Sequence, residues 1–316
     1  MEPLVSVCCI TYNHENYIRD ALSSFIMQQT NFDYEILIHD DASTDGTGEI
    51  IKEFELKYPD IIKPIYQKEN QYSKNPRVPA KNVWPRAQGR YIATCEGDDF
   101  WLDKNKLQKQ VDILENNPEF VYCFHSVQVV DTAKNPIGKF LGPHGKGSGS
   151  YFLSETGQGS FVHLSSIMMR TELVQEKLPD WYFDASHGDY ALIFYLEGLG
   201  KNYYIDEVMS CYRIGVNGSL MTSFRKDESK TLKLQYYEHR INTINSADSY
   251  FNYRLFNEFK TLRLSNEVRI NLLRNDFSRD AIKKYLAFAS NNGWLKLLKI
   301  IISFKLPTLK KILVQR

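Results

Sequence analysis

The stretch Gly89-Arg90-Tyr91-Ile92-Ala93-Thr94-Cys95-Glu96-Gly97-Asp98-Asp99-Phe100-Trp101 decides the fold. Its first half is a short apolar run of strand length, and acidic side chains follow where that strand would end. In open α/β sheets, ligands bind outside the carboxyl ends of the strands. Two adjacent carboxylates there repel each other, and a divalent cation relieves the repulsion. Hard cations such as Mg²⁺ take carboxylate and substrate phosphate oxygens together. The segment reads as a metal-assisted site for a phosphate-bearing donor.

Working outward, strand-like and helical segments alternate through the first 130 residues. Leu4 to Thr11 is a short apolar run with the length and β-branching of a buried strand. Tyr17, Ile18, Ala21, Leu22, Phe25 and Ile26 then recur at helical spacing. Tyr34 to His39 is a second strand ending at Asp40-Asp41, and the cap-rich turn Ala42-Ser43-Thr44-Asp45-Gly46 leads into a helix through Ile50, Ile51, Phe54 and Tyr58. Ile61 to Tyr66 is a third strand. A polar stretch with Pro76 and Pro79 precedes a short helix near Asn82, disturbed by Pro85. After the acidic segment come a helix through Leu107, Val111 and Leu114 and a strand from Val121 to Val130.

This order predicts βαβ units: an α/β fold with a mostly parallel sheet flanked by helices. From Asn135 to Gly159 the chain is rich in Gly, Pro and Ser, a long loop that is a candidate lid. Phe161 to Arg170 is expected to re-enter the sheet, Asp189 to Leu199 is amphipathic, and Tyr203 to Arg213 reads as one or two short strands. Beyond about residue 220 helical periodicity dominates. The expected division is therefore a catalytic domain at 1–220 and a helical appendage at 221–316.

Composition narrows the function. The chain has 316 residues, 43% hydrophobic and 24% charged, which excludes a disordered chain. A net charge of +1 gives no basic field for nucleic acid. The aromatic content, 20 Tyr and 18 Phe, fits stacking on sugars or bases but fits an ordinary aromatic core better. Five cysteines without paired spacing argue against a disulfide framework and read as buried free thiols. Met1-Glu2-Pro3-Leu4 runs straight into a strand, so no signal peptide is expected. No apolar run of about 18 residues predicts a spanning helix. The expected location is the cytoplasm, at the inner face of the membrane if the C-terminal segment docks there.

Taken together, the chain resembles family 2 glycosyltransferases of the GT-A fold, of the bacterial surface-polysaccharide type. The matching pieces, in order, are Val5-Ser6-Val7-Cys8-Cys9-Ile10-Thr11-Tyr12-Asn13, Asp40-Asp41 within Asp-Asp-Ala-Ser-Thr-Asp-Gly-Thr, Glu96-Gly97-Asp98-Asp99, Gly188-Asp189 and Tyr212-Arg213. The resemblance covers roughly residues 4 to 220 and none of the helical tail.

It implies a hexosyltransferase using a UDP-sugar, with Mn²⁺ or Mg²⁺. Thr11, Tyr12 and Asn13 would contact base and diphosphate, and Asp41 would accept the uracil N3–H while Asp40 orients the turn. Asp41 could instead serve as a helix cap. Asp99 is assigned to the metal and Asp98 to the ribose, with the two roles open to exchange, so both count as metal candidates. Glu96 stands where many relatives carry Asp, and its longer arm would act through water or a hydrogen bond. Asp189 would be the catalytic base, against the plainer reading of a charge complementing a helix N-terminus. His187 is a weaker candidate base. Arg213 would bind the diphosphate or simply pair with an acid. Relatives often place a histidine soon after that Arg, whereas this chain runs Ile214-Gly215-Val216-Asn217-Gly218-Ser219. Asn82, His125 and His163 are further candidates for the lining of the site, against the plainer reading of satisfied structural groups beside strands.

The segment Trp294 to Arg316 mixes Leu and Ile with Lys296, Lys299, Lys305, Lys310, Lys311 and Arg316 and contains no acid. It reads either as an interfacial helix on anionic lipid, broken at Pro307, or as a helix packed with a solvated basic face. An acceptor glycan carried on a lipid diphosphate would account for the first. Two other classes stay open. A nucleotide-sugar pyrophosphorylase would need a Gly-rich loop near the first strand, and Cys9-Ile10-Thr11-Tyr12-Asn13 has no glycine. A binding scaffold without catalysis sits poorly with intact Asp98, Asp99 and Asp189.

Overall fold

The computed structural model describes residues 2–74, 77–156, 161–175, 178–216 and 229–305. Pro76, Gly159, the boundary expected at 220, the run Asn217-Gly218-Ser219 and everything from Pro307 onward lie outside them. The chain divides into two compact units, Met1–Phe183 with Gly188–Thr222, and Asp184–His187 with Ser223–Arg316.

The first unit opens with β1 (Val5–Thr11), α1 (Ile18–Ile26), β2 (Tyr34–Asp40), α2 (Thr47–Lys57) and β3 (Ile62–Tyr66). A π turn (Pro79–Val83) and a 3₁₀ turn (Trp84–Arg86) replace the single short helix expected there. Then follow β4 (Tyr91–Glu96), β5 (Phe100–Trp101), α3 (Lys106–Asn116), β6 (Phe120–Val130) and β7 (Pro136–Leu141). After them come α4 (Leu153–Thr156), β8 (Met168–Arg170), α5 (Glu172–Gln175), α6 (Asp180–Asp184), α7 (Gly188–Leu199) and β9 (Lys201–Arg213). The sheet order is β3-β2-β1-β4-β8-β6-β9-β5, with β7 beside β6.

The sheet has two characters. From β3 to β4 every pairing is parallel. β1, β2 and β4 are buried nearly throughout, as strands covered on both faces require, which is why β1 and β4 read as continuous apolar runs, while in β3 only Ile62 is buried. Beyond β4, antiparallel pairings of β8, β7 and β5 surround the parallel pair β6–β9. The register of the parallel half is pinned at one buried point. Ser6 Oγ donates to Glu35 Oε1 at 2.6 Å and accepts from the Gly89 N–H at 2.9 Å. A Cβ on Gly89 would sit 2.5 Å from the Ser6 nitrogen, so only glycine fits where β4 begins.

Two sequence expectations change in detail. Tyr203 to Arg213 belongs to one 13-residue strand, β9, whose bulged register against β6 blurs its alternation. The Gly-rich stretch is not structureless. It contains β7, and its tip is tied to β9: Asp206 accepts the N–H groups of Gly145 and Gly147 at 2.9 and 2.8 Å.

The second unit is helical, with α8 (Lys230–Tyr250), α9 (Phe256–Arg274), α10 (Arg279–Asn292) and α11 (Trp294–Lys305). Ser229 and Ser278 cap α8 and α10 by accepting the N–H of Leu232 and Ala281. Val268, Leu272, Tyr285, Phe288, Leu297 and Ile300 form part of its core.

Beneath β5, Lys106 is fully buried, donating to Gln110 Oε1 at 2.6 Å with its ammonium 4.1 Å from the Trp101 ring centre. Burial draws its pKa down to about 7. The unfolded chain therefore holds this proton more tightly than the folded one, and stability rises with pH from about 7 to about 10. At pH 6 the full penalty, on the order of a few kcal/mol, is in place. Replacing Lys106→Met should raise the melting temperature near pH 6, and the gain should fade toward pH 10. Thermal melts of both proteins across that range check this; a gain that does not change with pH contradicts it.

Candidate active site

The site forms where β1, β2 and β4 end. At the end of β1, Thr11 is buried, Tyr12 is 43% exposed, and Asn13 takes a left-handed conformation with φ of 54°. Just after β2, Ala42 does the same with φ of 62°. A left-handed backbone costs roughly 1–2 kcal/mol for a residue with a Cβ, and such positions cluster at ligand sites. Hydrogen bonds hold the two turns together. Asn13 Oδ1 accepts the Thr44 N–H at 2.8 Å, Ser43 Oγ accepts the Asn13 N–H at 2.9 Å, and Thr47 Oγ1 accepts the His14 N–H at 2.8 Å. The carboxamide of Asn13 is thus engaged in fixing the turn.

Asp40 orients its turn by accepting the Ser43 N–H at 3.1 Å. Asp41 is buried, and its two oxygens accept the N–H groups of Gln71 and Tyr72 at 2.6 and 2.9 Å. Among the described residues these bonds tie it to the loop after β3.

The acidic segment turns sharply at Gly97, where a Cβ would lie 2.6 Å from Thr11 Oγ1. That close approach brings Glu96, Asp98 and Asp99 together, with one ligand atom of each within 4.8 Å of the others. Asp99 is fully buried. Its Oδ1 accepts the Arg213 N–H at 2.8 Å, and its Oδ2 has no hydrogen-bond partner among the described residues. Burial, with the negative charges of Asp98 and Glu96 beside it, pushes the Asp99 carboxyl well above the ordinary carboxylate range. Burial, then Asp98 and Asp189, raise Glu96 as well. A divalent cation fits this donor set: hard oxygens, crowded negative charge and one buried oxygen lacking a partner.

Asp189 stands in the first turn of α7, exposed, with Oδ1 accepting the Tyr190 N–H at 2.9 Å. Its charge is the least of the causes that raise Glu96, which lies 93 residues earlier in the sequence. Gly188 leaves a Cβ position 3.5 Å from the Arg77 guanidinium, ordinary contact. The side chain of Arg213 is buried: it pairs with Asp20 Oδ2 at 2.8 Å and lies over the rings of Tyr17 and Phe100. Of the two sequence readings for Arg213, the geometry contains the acid pair. His125 is buried with Nδ1 2.9 Å from the Ser126 carbonyl, away from the carboxylates' hydrogen bonds. His187 lies edge-on to Tyr236 in the second unit.

Three residues were not singled out by the sequence or were named only in passing. His14 places Nε2 4.0 Å from Asp98 Oδ2. His163 places Nε2 3.8 Å from Asp99 Oδ2, and burial draws its imidazole down to about 4, so it is neutral near pH 7. Arg77 is buried and within electrostatic reach of Tyr72 and Asp189. His14 directly follows the Thr11-Tyr12-Asn13 turn, a position the sequence could have flagged; His163 and Arg77 reach the site only through the fold.

A family model described as glycosyl transferase family 2 matches residues 6–176. Uncharacterized protein Rv1520 of Mycobacterium tuberculosis is 37% identical over 191 residues, 58% of this chain and 53% of that protein. The Escherichia coli UDP-Glc:alpha-D-GlcNAc-diphosphoundecaprenol beta-1,3-glucosyltransferase WfgD is 31% identical over 141 residues, 44% of this chain and 51% of that one. The chain spans about half the length of these curated relatives. S. aureus TarS 1-349 in complex with UDP-GlcNAc superposes with a TM-score of 0.60 at 18% identity, covering 96% of this chain and 79% of that chain. The mannosyltransferase PcManGT from Pyrobaculum calidifontis, in complex with GDP-Man and Mn²⁺, gives 0.59 at 14% identity with the same coverage. These two show a shared GT-A fold. The matched family segment takes in β1, the turn after β2 and the whole acidic corner, more than half of the sequence, and on that ground the chain belongs to glycosyl transferase family 2.

Proposed function

We propose that the chain moves a sugar from a UDP-sugar to a hydroxyl of a growing surface glycan, with inversion at the anomeric carbon and with Mn²⁺ or Mg²⁺ held by Asp98 and Asp99. One observation carries the reading: Asp99 Oδ2 is buried with no hydrogen-bond partner among the described residues, beside Asp98 and Glu96, at the carboxyl ends of parallel strands. Family membership supports the transferase class. The names of the related proteins support a nucleotide-sugar donor, a lipid-linked glycan acceptor and manganese.

In this reading the base lies against Thr11, Tyr12 and Asn13, with the exposed Tyr12 ring offering a stacking face. Asp41 accepts the uracil N3–H on lone pairs left by its two backbone donors. Asp98 faces the ribose as well as the metal. Arg213 contributes by fixing Asp99 through its N–H, and its buried guanidinium holds that strand end against Asp20. When bound, the cation neutralises charge that grows on the departing diphosphate. Asp189 removes the acceptor hydroxyl proton as the oxygen attacks the anomeric carbon. Catalysis is assigned to residues 1–220.

Release of UDP from a panel of UDP-sugars, with and without Mn²⁺, tests the proposal. Metal-dependent release is expected, and silence across the panel contradicts it. Asp189→Asn should lower turnover by about 10²–10⁴-fold, the usual range for a general base, while the UDP dissociation constant measured by calorimetry stays nearly unchanged. Full turnover in that variant would exclude Asp189 as the base.

The raised Glu96 and Asp99 carboxyls set a pH dependence. With folded values above unfolded ones, their protonated forms suit the folded state, and stability falls as pH rises and charge accumulates. A cation offsets that charge only where protons have left. Saturating Mn²⁺ should therefore raise the melting temperature more at pH 8 than at pH 5; an equal or reversed shift would mean the ion binds elsewhere.

Residues 221–316 are assigned to peripheral attachment at the inner face of an anionic membrane. On α11, Trp294 is 64% and Leu295 76% exposed, Leu298 is exposed beside them, and Lys296 and Lys299 belong to the same helix. No helix among the described residues is long and apolar enough to cross a membrane, so α11 would lie along the surface. Burying each exposed Leu is worth about 1.5–3 kcal/mol at most. Leu295→Glu with Leu298→Glu should release the protein from phosphatidylglycerol vesicles by about tenfold or more, leaving UDP release intact. Unchanged co-sedimentation would remove the membrane assignment without touching the catalytic one.

A further inference from the structure

We propose that His163 is a positioning residue for Asp99: its Nε2–H holds Asp99 Oδ2 and so orients that carboxylate toward the cation site. The inference rests on the metal reading given above and adds a residue to it.

Three contacts fix the imidazole before Asp99 is considered. The ring packs against that of Tyr212, next in sequence to Arg213, with centres 4.4 Å apart and planes tilted at 44°. Its Nδ1 accepts the Ser165 N–H at 3.3 Å and lies 2.9 Å from Ser165 Oγ. Ser165 is itself held, with its hydroxyl 2.9 Å from Ser210 Oγ on β9 and its carbonyl accepting the Trp101 indole N–H at 3.1 Å. Strand β9 and the turn Leu164–Ser166 therefore meet the ring, and β5 holds the Ser165 that it binds.

These contacts select the tautomer. A nitrogen that accepts a backbone N–H carries no proton of its own, so in the neutral ring the proton is on Nε2. A protonated Nε2 does not ligate a metal, which decides between two roles for a histidine beside a carboxylate. The acceptor in front of that N–H is Asp99 Oδ2 at 3.8 Å, a buried oxygen with no hydrogen-bond partner among the described residues. The gap is longer than a hydrogen bond, and a shift of well under 1 Å in either side chain closes it. With Oδ1 accepting the Arg213 N–H, such a bond would hold the carboxylate from both oxygens. One lone pair on each would then be available toward Glu96 and Asp98. Histidine and carboxylate pairs outside a metal's direct ligands commonly tune affinity about 10–100-fold.

The test uses the full chain and Mn²⁺ alone, with binding read by electron paramagnetic resonance titration. His163→Ala should weaken Mn²⁺ binding by about 10–100-fold with the circular dichroism spectrum retained. His163→Gln, whose amide can donate from a similar place, should recover most of the loss. Nitrogen-15 shifts of the His163 ring in the metal-free protein should report Nε2 protonated and Nδ1 bare; the opposite tautomer overturns the inference, whether or not a variant folds. Equal Mn²⁺ affinity in wild type and His163→Ala also overturns it while leaving the metal reading intact. A wild type that binds no Mn²⁺ overturns both.

Discussion

The hydrogen bond from the Arg213 N–H to Asp99 Oδ1, 2.8 Å long, ties the end of β9 to the loop beyond β4 and commits a carboxylate to the interior. Buried ionisable groups are costly unless they are paired, neutralised or bound to a cation. Here one oxygen is satisfied and the other lacks a partner among the described residues, with two more acids within reach. The backbone geometry makes no concession to that charge. Gly97 lets the segment fold against Thr11, Asp41 holds the loop after β3, and Asn13 and Ala42 are left-handed, so the corner is crowded. Crowded negative charge is built into the fold at this corner, and it raises the Glu96 and Asp99 carboxyls.

The site also marks the seam of the sheet. The parallel half, β3-β2-β1-β4, supplies the strand ends on which acids and turns are mounted. The mixed half supplies the Arg213 N–H of β9, which Asp99 accepts, and places the His163 ring, in the turn before β8, 3.8 Å from the same carboxylate. Asp189 enters from α7, whose apolar residues Ala191 to Leu196 are buried and hold the helix rigidly in its unit. Carboxylates on a packed helix and on buried strand ends keep their geometry better than residues on free loops.

Much of this was legible in the sequence because burial leaves a local signature. β1, β2 and β4 are apolar runs closed by polar or acidic residues, and helices α1, α2 and α3 follow a 3.6-residue period, so both the α/β class and the acidic corner could be read directly. What could not be read depends on long-range pairing. Arg213 meets Asp20 across 193 residues, and nothing local distinguishes a guanidinium that pairs internally from one that meets phosphate. His163 looks like any lone histidine in an apolar stretch until Ser165 and Ser210 are seen to hold it. β7 is an exposed edge strand within a glycine-rich segment, so neither alternation nor burial announced it. Asp206 likewise gave no sign that it would anchor Gly145 and Gly147.

The central claim is that the buried acidic corner grips a cation against a nucleotide's pyrophosphate. A crystal structure of the protein soaked with UDP and Mn²⁺ tests this most directly, with anomalous scattering to locate the manganese. The account predicts a single strong anomalous peak in contact with Asp99 and the diphosphate, with the uracil beside Tyr12 and Asp41. Manganese or UDP bound elsewhere, with Asp98 and Asp99 untouched, would contradict it.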